Sequence, residues 1–492
     1  MSCLQHTLTV WAGQVTINIL PDDVLVHIFL IDGLEYGDEG LVFPEQPTVQ
    51  TAEDGDRVKR LPWTWHRLVH VCSRWRSIVF ASPNFLDLRL VCSPMTRMEL
   101  TGIWPPLPII ITNAVKGWHG YLAGQDYDFD AAIMDSNRVR EISLTNLSGL
   151  LVQRLASATR MQEQFPALTH LALTYHHSTG PVPTLPDGFL GGSAPRLLSI
   201  RLDSIPFPGL PKLLLSATHL VRLILWRVPH SGYFSPEKIV TGLAVMANLK
   251  SLTIRFESPQ SRPHRGSRRL TLPTRTVLPA LTRFDFNGAS EYLEDLVARI
   301  DAPLLDSIDI TFFHQLIYNI PQLAQFMGRA TRFQEFKVAS LYFSSHSVHV
   351  WTFSPTPAMS DFRILCRHLD WQLSSLAQVL ASYVPSTDMV EDFYIHNFSI
   401  ETVDVEHTQW LEIFHLFTGV KNLYLSEIYA PRIASALQEL VGGRRTEVLP
   451  ILQHIYLEGL KPSEPIQEGI GKFVAARQLS GYPITVSRWG RP

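Results

Sequence analysis

Apolar residues recur in one rhythm over the second two-thirds of the chain. VREISL at 139, LTHLAL at 168, LLSIRL at 197, LVRLIL at 220, LKSLTI at 249 and LTRFDF at 281 set it out. LDSIDI at 305, FQEFKV at 333, VEDFYI at 390, VKNLYL at 420 and LQHIYL at 452 continue it. Each fragment is apolar at offsets 0, 3 and 5, and offsets 3 and 5 share one face of a strand. The intervening PEKIVTGLAVMANLK and EYLEDLVARI carry helical spacing instead. Successive steps run from 23 to 32 residues, except from 333 to 390, where FRILC at 362 stands near the middle with a shifted pattern. Roughly twelve units follow, one of them degenerate.

A strand and a helix alone cannot bury both their faces, whereas stacked copies share one core. The pattern therefore predicts an α/β architecture over 137–492, with parallel strands on a concave face and helices outside. Twelve strands at roughly 4.8 Å would line about 50 Å of surface. Offset 8 holds Leu147, Ile205, Val228, Phe313, Ile428 and Leu460, so no polar side chain there is available to bond the turns, and the arc is expected to be irregular.

The N-terminal pattern differs. ILPDDVLVHIFLIDG, 19–33, reads as a helix with Pro21 in its first turn and Asp22 and Asp23 at the positive end of its dipole. Val24, Leu25, Ile28 and Phe29 cover one side and Val26, Leu30 and Ile31 another, more than one neighbouring helix can bury. In WTWHRLVHVCSRWRSIVFASPNFLDLRL, 63–90, Leu68, Cys72, Trp75 and Val79 fall on one helical face, and Ser82-Pro83 stops it. A Gly-, Pro- and acid-rich loop at 34–61 separates the two pieces. The expected organisation is a helical module at 15–92, a connecting segment at 93–136, and the repeats with a closing cap to 492.

Composition narrows the chemistry. Forty-two basic against 45 acidic residues leave a net charge of -3, which argues against broad attraction to nucleic acid or membrane. Four cysteines without a CxxC pair suggest a reducing compartment, cytoplasmic and/or nuclear, and no stretch of about 18 apolar residues appears. HExxH, GxSxG and GxxxxGK[ST] are absent. His176-His177, SPEK at 235, GIGK at 469 and DYDFD at 126 are too short or too isolated to carry a metal or phosphate site. RPHRGSRR at 262–269 reads as a solvated basic loop, with an acidic partner surface or a nuclear import signal as the alternatives. No enzyme, cofactor or metal is expected.

LPDDVLVHIF followed by LVHVCSRWRSIVFASPNFLDL resembles an F-box, with an inserted loop in place of the family's usual short turn. The later LxxLxL units resemble leucine-rich repeats. Together with the closing region these resemble the mushroom-type fungal F-box proteins. The resemblance implies a substrate receptor of an SCF-type ubiquitin ligase, docking on a Skp adaptor, and through it a cullin, by Leu20, Pro21, Leu25, Ile28, Phe29, Val71, Trp75 and Pro83. The repeats would present an unknown target protein. Target contacts are expected between the core positions, at Arg201, Asp203, Trp226, Arg255, Asp285, Asp309, Tyr424 and Glu427. Aromatic and arginine anchors place Arg201, Trp226, Arg255 and Tyr424 first. The alternative is an interaction scaffold whose N-terminal helices only cap the solenoid.

Overall fold

The computed structural model describes residues 19–35, 64–92, 106–113, 133, 135–175, 182–263, 275–313, 320–330, 336–344, 347–353, 361–367, 377, 387–397, 405–439, 448–458 and 464–489. It is an α/β protein with two compact units, 1–142 and 143–492.

In the first unit, α1 (Asp22–Glu35), α2 (Thr64–Val69) and α3 (Ser73–Ala81) precede the parallel pair β1 (Leu90–Cys92) and β2 (Ile109–Thr112). Leu25 and Phe29 of α1 are buried, and the Phe29 ring lies 4.6 Å from that of Trp75. Arg74 of α3 fastens the start of α1, donating to Asp22 Oδ1 and the Leu20 carbonyl, each at 2.6 Å.

The stripe Leu68, Cys72, Trp75, Val79, expected on one continuous helix, is divided between two. Extended backbone at Cys72 (φ -158°) breaks the run, and its Sγ accepts the Trp75 N–H at 3.4 Å as the N-cap of α3. Arg76 Nε meanwhile takes the Val69 carbonyl at 3.0 Å, satisfying the end of α2. Only Leu68 and Val79 of the stripe are buried. The stop at Ser82-Pro83 is where expected. α1 continues to Glu35, slightly into the expected loop, whose remainder lies outside the described residues.

The boundary between the units falls within β3 (Val139–Leu147). The second unit continues with β4 (His170–Tyr175), β5 (Ser199–Asp203), β6 (Arg222–Val228), β7 (Ser251–Phe256), β8 (Thr276–Val277), β9 (Arg283–Gly288), β10 (Ile300–Asp301) and β11 (Ser307–Phe312). Then come β12 (Val338–Ser344), β13 (Ser347–Phe353), β14 (Asp361–Arg367), β15 (Asp392–Asn397), β16 (Asn422–Leu425), β17 (His454–Glu458) and β18 (Thr485–Trp489). From β4 the sheet order is β4-β5-β6-β7-β9-β11-β14-β13-β12-β15-β16-β17-β18, while β8 and β10 pair separately.

Apolar offsets 0, 3 and 5 are buried in ten of the eleven fragments, from Val139, Ile142 and Leu144 to Leu452, Ile455 and Leu457; the exception is FQEFKV, whose Phe333 lies outside the described residues. Intervening helices cover this face: Phe393 meets Phe414 of His407–Leu416, and Phe284 meets Phe326 of Pro321–Arg329. The carbonyl at offset 1 joins successive units by accepting two N–H groups. Leu198 accepts from Val221 and Arg222, Val221 from Lys250 and Ser251, and Lys421 from Gln453 and His454.

The apolar residues at offset 8 also have a backbone cause. Asn146, Ser204 and Arg227, each at offset 7, adopt φ of 54°, 58° and 50°. One left-handed residue turns the next side chain inward, and Leu147, Ile205 and Val228 are buried. This conformation costs a non-glycine residue on the order of 1 kcal/mol. The turn of Ser204 is satisfied across strands, its N–H donating to the Trp226 carbonyl at 2.9 Å.

Two repeat assignments change. The Lys337 carbonyl bonds the N–H groups of Glu391 and Asp392, and Ala339 and Leu341 are in register with Phe393 and Ile395, so the unit begins at Phe336 and reads FKVASL. Small Ala339 at offset 3 hides the period. The long step from 333 to 390 contains an antiparallel meander: β12 pairs with β13 and β13 with β14, while β14 lies parallel to β11 and β12 to β15. FRILC is part of β14.

Candidate functional site

Two surfaces present chemistry. The first is the outer edge of α1. Val24, Ile28 and Ile31 recur at i, i+4 and i+7 and are 39%, 37% and 55% exposed. In the same unit, Val71 on the α2–α3 turn and Phe85 after α3 are 58% and 49% exposed. The Phe85 ring stands 5.5 Å from His27, edge-on. Of the expected adaptor contacts, Ile28, Val71 and Pro21 are exposed, while Leu20, Trp75 and Pro83 are partly buried. Leu25 and Phe29 are 0% and 4% exposed and are core residues of the unit, because α3 packs on their side of α1. Trp75 Nε1 is buried with no hydrogen-bond partner among the described residues. Burial pushes the Cys92 thiol up to about 11.

The second surface is the sheet face opposite the helices, where offsets 2, 4 and 6 point. On β6 to β11 it is charged. Arg255 Nε and Nη2 grip Asp285 at 2.7 and 2.6 Å, and Nη2 lies 3.5 Å from Asp309. The guanidinium also lies over the Trp226 ring, 4.0 Å from its centroid. Asp285 and Asp309 are register partners on adjacent strands, so Arg255 neutralises two neighbouring carboxylates. Beside them Arg227 holds the 5% exposed Asp203 at 2.7 Å.

On β12 and β15 to β18 the same face is largely aromatic. Tyr394, Tyr424 and Tyr456 share one register row, with ring centroids 4.1 and 4.5 Å apart and planes 8° from parallel. Trp489, from β18, approaches Tyr394, Tyr424 and His396 at 5.7, 5.5 and 5.5 Å with planes at 59°, 67° and 53°. The indole therefore lies across the ring edges of the stack. Tyr342 stacks on His396 at 4.8 Å. Burial, a mutual hydroxyl hydrogen bond and the Asp392 carboxylate hold the Tyr424 phenol well above its usual range; Tyr394 is also raised, mainly by burial. Both rings are neutral hydrogen-bonding groups at ordinary pH.

Of the four foremost target contacts, Trp226 and Arg255 come together, exposed Arg201 stands on β5, and Tyr424 occupies the centre of the tyrosine stack. Tyr394, Tyr456 and Trp489 were not singled out from the sequence. The signal for the tyrosines was present: all three lie at offset 4 of their units, in VEDFYI, VKNLYL and LQHIYL.

Several short motifs have structural places. Ser235 is the N-cap position of the helix Pro236–Leu243, where Glu237 pairs with Arg299 at 2.8 Å. GIGK lies inside the helix Glu464–Leu479, and Gly469 lets that helix approach Ala434, 3.0 Å from where a Cβ would stand. His176-His177, DYDFD and most of RPHRGSRR lie outside the described residues. Among the described residues no cluster of His, Cys, Asp and Glu could hold a metal, and no helix is long and apolar enough to cross a membrane. No protein-family model matches the chain, and no curated protein matches it in sequence.

Proposed function

We propose that the protein is a non-catalytic substrate receptor of an SCF-type cullin-RING ubiquitin ligase. The helices α1 to α3 dock on a Skp-type adaptor, and the open sheet face of the second unit holds the target protein. The observation that carries this reading is the apolar edge Val24, Ile28 and Ile31, with Val71 and Phe85 exposed in the same unit. A small helical unit gains about 25 cal/mol for each Å² of such surface that a partner covers. The resemblance to fungal F-box proteins names the adaptor. The mechanism is proximity: a bound target lysine meets the ubiquitin-loaded enzyme at raised effective concentration, with no chemistry in this chain.

A second reading, an interaction scaffold without an adaptor, is favoured by the burial of Leu25 and Phe29, which gives α1 a packing role of its own. Co-expression of the full chain with a Skp-type adaptor separates the two. The wild type is expected to co-purify stoichiometrically. Ile28→Ser with Ile31→Ser, both at exposed positions, should lose the adaptor while unfolding stability changes by no more than about 0.5 kcal/mol. A folded wild type that captures no adaptor leaves the scaffold reading in place.

A further inference from the structure

One row across the open face alternates hydroxyls with guanidiniums. Ser199, Arg222, Ser251, Arg283 and Ser307, each at offset 2 of its unit, are register partners in turn on β5, β6, β7, β9 and β11. Arg222 is exposed and the other four are half-buried. Ser251 stands between the two arginines, which are therefore two strand spacings, about 10 Å, apart along the sheet. Arg201 is exposed at offset 4 of β5, diagonal to Arg222, since its own register partner is Ile224.

The charges on these strands do not cancel. Asp203, Asp285 and Asp309 stand against Arg201, Arg222, Arg227, Arg255 and Arg283, three acids against five arginines. Arg227 answers Asp203, while Arg255 answers Asp285 and lies 3.5 Å from Asp309. Among the described residues the guanidiniums of Arg201 and Arg283 enter no ion pair or hydrogen bond. On the rim, one residue before the row, Lys250 and Asp306 offset each other. A guanidinium takes a carboxylate through two parallel N–H donors, and serine hydroxyls between such groups add further donors.

From this the geometry points to the row from Ser199 to Ser307 as the seat of an acidic segment of a partner polypeptide. The segment lies across β5 to β11 with carboxylates at Arg222 and Arg283 and with Arg201 beside it. In a polyproline II chain, side chains three residues apart share one side at a separation of about 9.3 Å, which matches the spacing of the two arginines. Nucleic acid is the poorer fit: Trp226, the one ring at these face positions, already carries Arg255, so a strand of bases finds no row of stacking platforms. The inference deepens the receptor reading by naming the chemistry of the target, and it rests on that reading for its biological role.

The test uses the full chain and fluorescence anisotropy with a labelled Glu-Pro-Ser repeat peptide, its Gln-Pro-Ser counterpart and oligouridylate. The glutamate peptide is expected to bind at least about fivefold more tightly than the glutamine peptide, and less so as salt rises. Arg283→Gln and Arg201→Gln should each weaken the glutamate peptide by about twofold to fivefold. Arg222→Gln with Arg283→Gln should remove the preference in a protein of unchanged melting temperature. Arg488→Gln, which takes the same charge from exposed β18 at the far end of the sheet, should leave it unchanged. Equal affinity for the glutamine peptide, an Arg488→Gln loss as large as that of Arg283→Gln, or preference for oligouridylate would each overturn the seat. Adaptor capture is measured on the same preparations. Capture without glutamate preference removes the seat alone, while glutamate preference without capture leaves the seat and removes the receptor reading.

Discussion

Strands β5 to β11 and strands β15 to β18 present the same geometric face with opposite chemistry. In the first region the polar groups answer one another: Arg255 is held by Asp285, Asp309 and Trp226, and Asp203 by Arg227. In the second, rings answer rings, through the stack of Tyr394, Tyr424 and Tyr456 with Trp489 across it. A row that supplies its own counter-ions has most of its directional bonding used internally. A row of rings is held by contact between ring faces and edges. The difference separates a part of the face held by ion pairs from a part held by ring contact.

The largest expected effect breaks the charged region from within. Arg255→Met leaves Asp285 and Asp309 side by side without their shared cation. Breaking a fully buried pair costs roughly 3–5 kcal/mol, and side-chain exposures of 21% and 24% bring the expectation to about 2–3 kcal/mol in urea unfolding. Adding Asp285→Asn should recover about half of it. A loss below about 0.5 kcal/mol would mean that the cluster is solvated and that the two regions are alike.

Tyr424→Ala applies the same test to the aromatic region. The central ring stacks on two neighbours and supports Trp489, so its removal should cost about 2 kcal/mol, near 1 for each stacked pair. The loss should persist at high salt, whereas that of Arg255→Met should shrink. Equal salt dependence for both variants would remove the distinction between a charged region and an apolar one.

These regions were unequally legible in the sequence. Offsets 0, 3 and 5 predicted the core because burial selects large apolar side chains at a fixed period, and Leu223, Leu252 and Phe284 show it in successive strands. The unit at Phe336 was misplaced by three residues because Ala339 satisfies the same position without looking apolar enough. The meander of β12, β13 and β14 was not legible, since antiparallel pairing depends on distant strand partners and not on local period. At the site, Trp226 and Arg255 were chosen for residue type, but their mutual contact required the register of β6 and β7. The break at Cys72 was hidden because a thiol cap leaves the helical stripe of side chains intact.

The smallest effect separates the stack from its hydroxyls. Tyr424→Phe keeps the ring and removes one hydroxyl that bonds to Tyr394, so about 0.5–1 kcal/mol should be lost near neutral pH. The pH dependence carries the sign. Tyr424, Tyr394 and Tyr292 titrate above their ordinary value of 10.0 in the folded protein, and burial pushes Tyr233 up to about 12. A group whose folded pKa is raised contributes stability that is complete below the unfolded pKa and is lost as pH rises through the folded one. The wild type should therefore weaken from about pH 10 upward, first because the unfolded phenols ionise. Tyr424→Phe has one fewer phenol to ionise and should weaken less steeply, so the two stability curves converge with rising pH. Parallel curves in urea unfolding at pH 8, 9.5 and 10.5 (roughly the span below and above the unfolded value) would show that Tyr424 titrates as freely as an exposed phenol. In that case its hydroxyl is not part of the stack, and the aromatic region is held by ring contact alone.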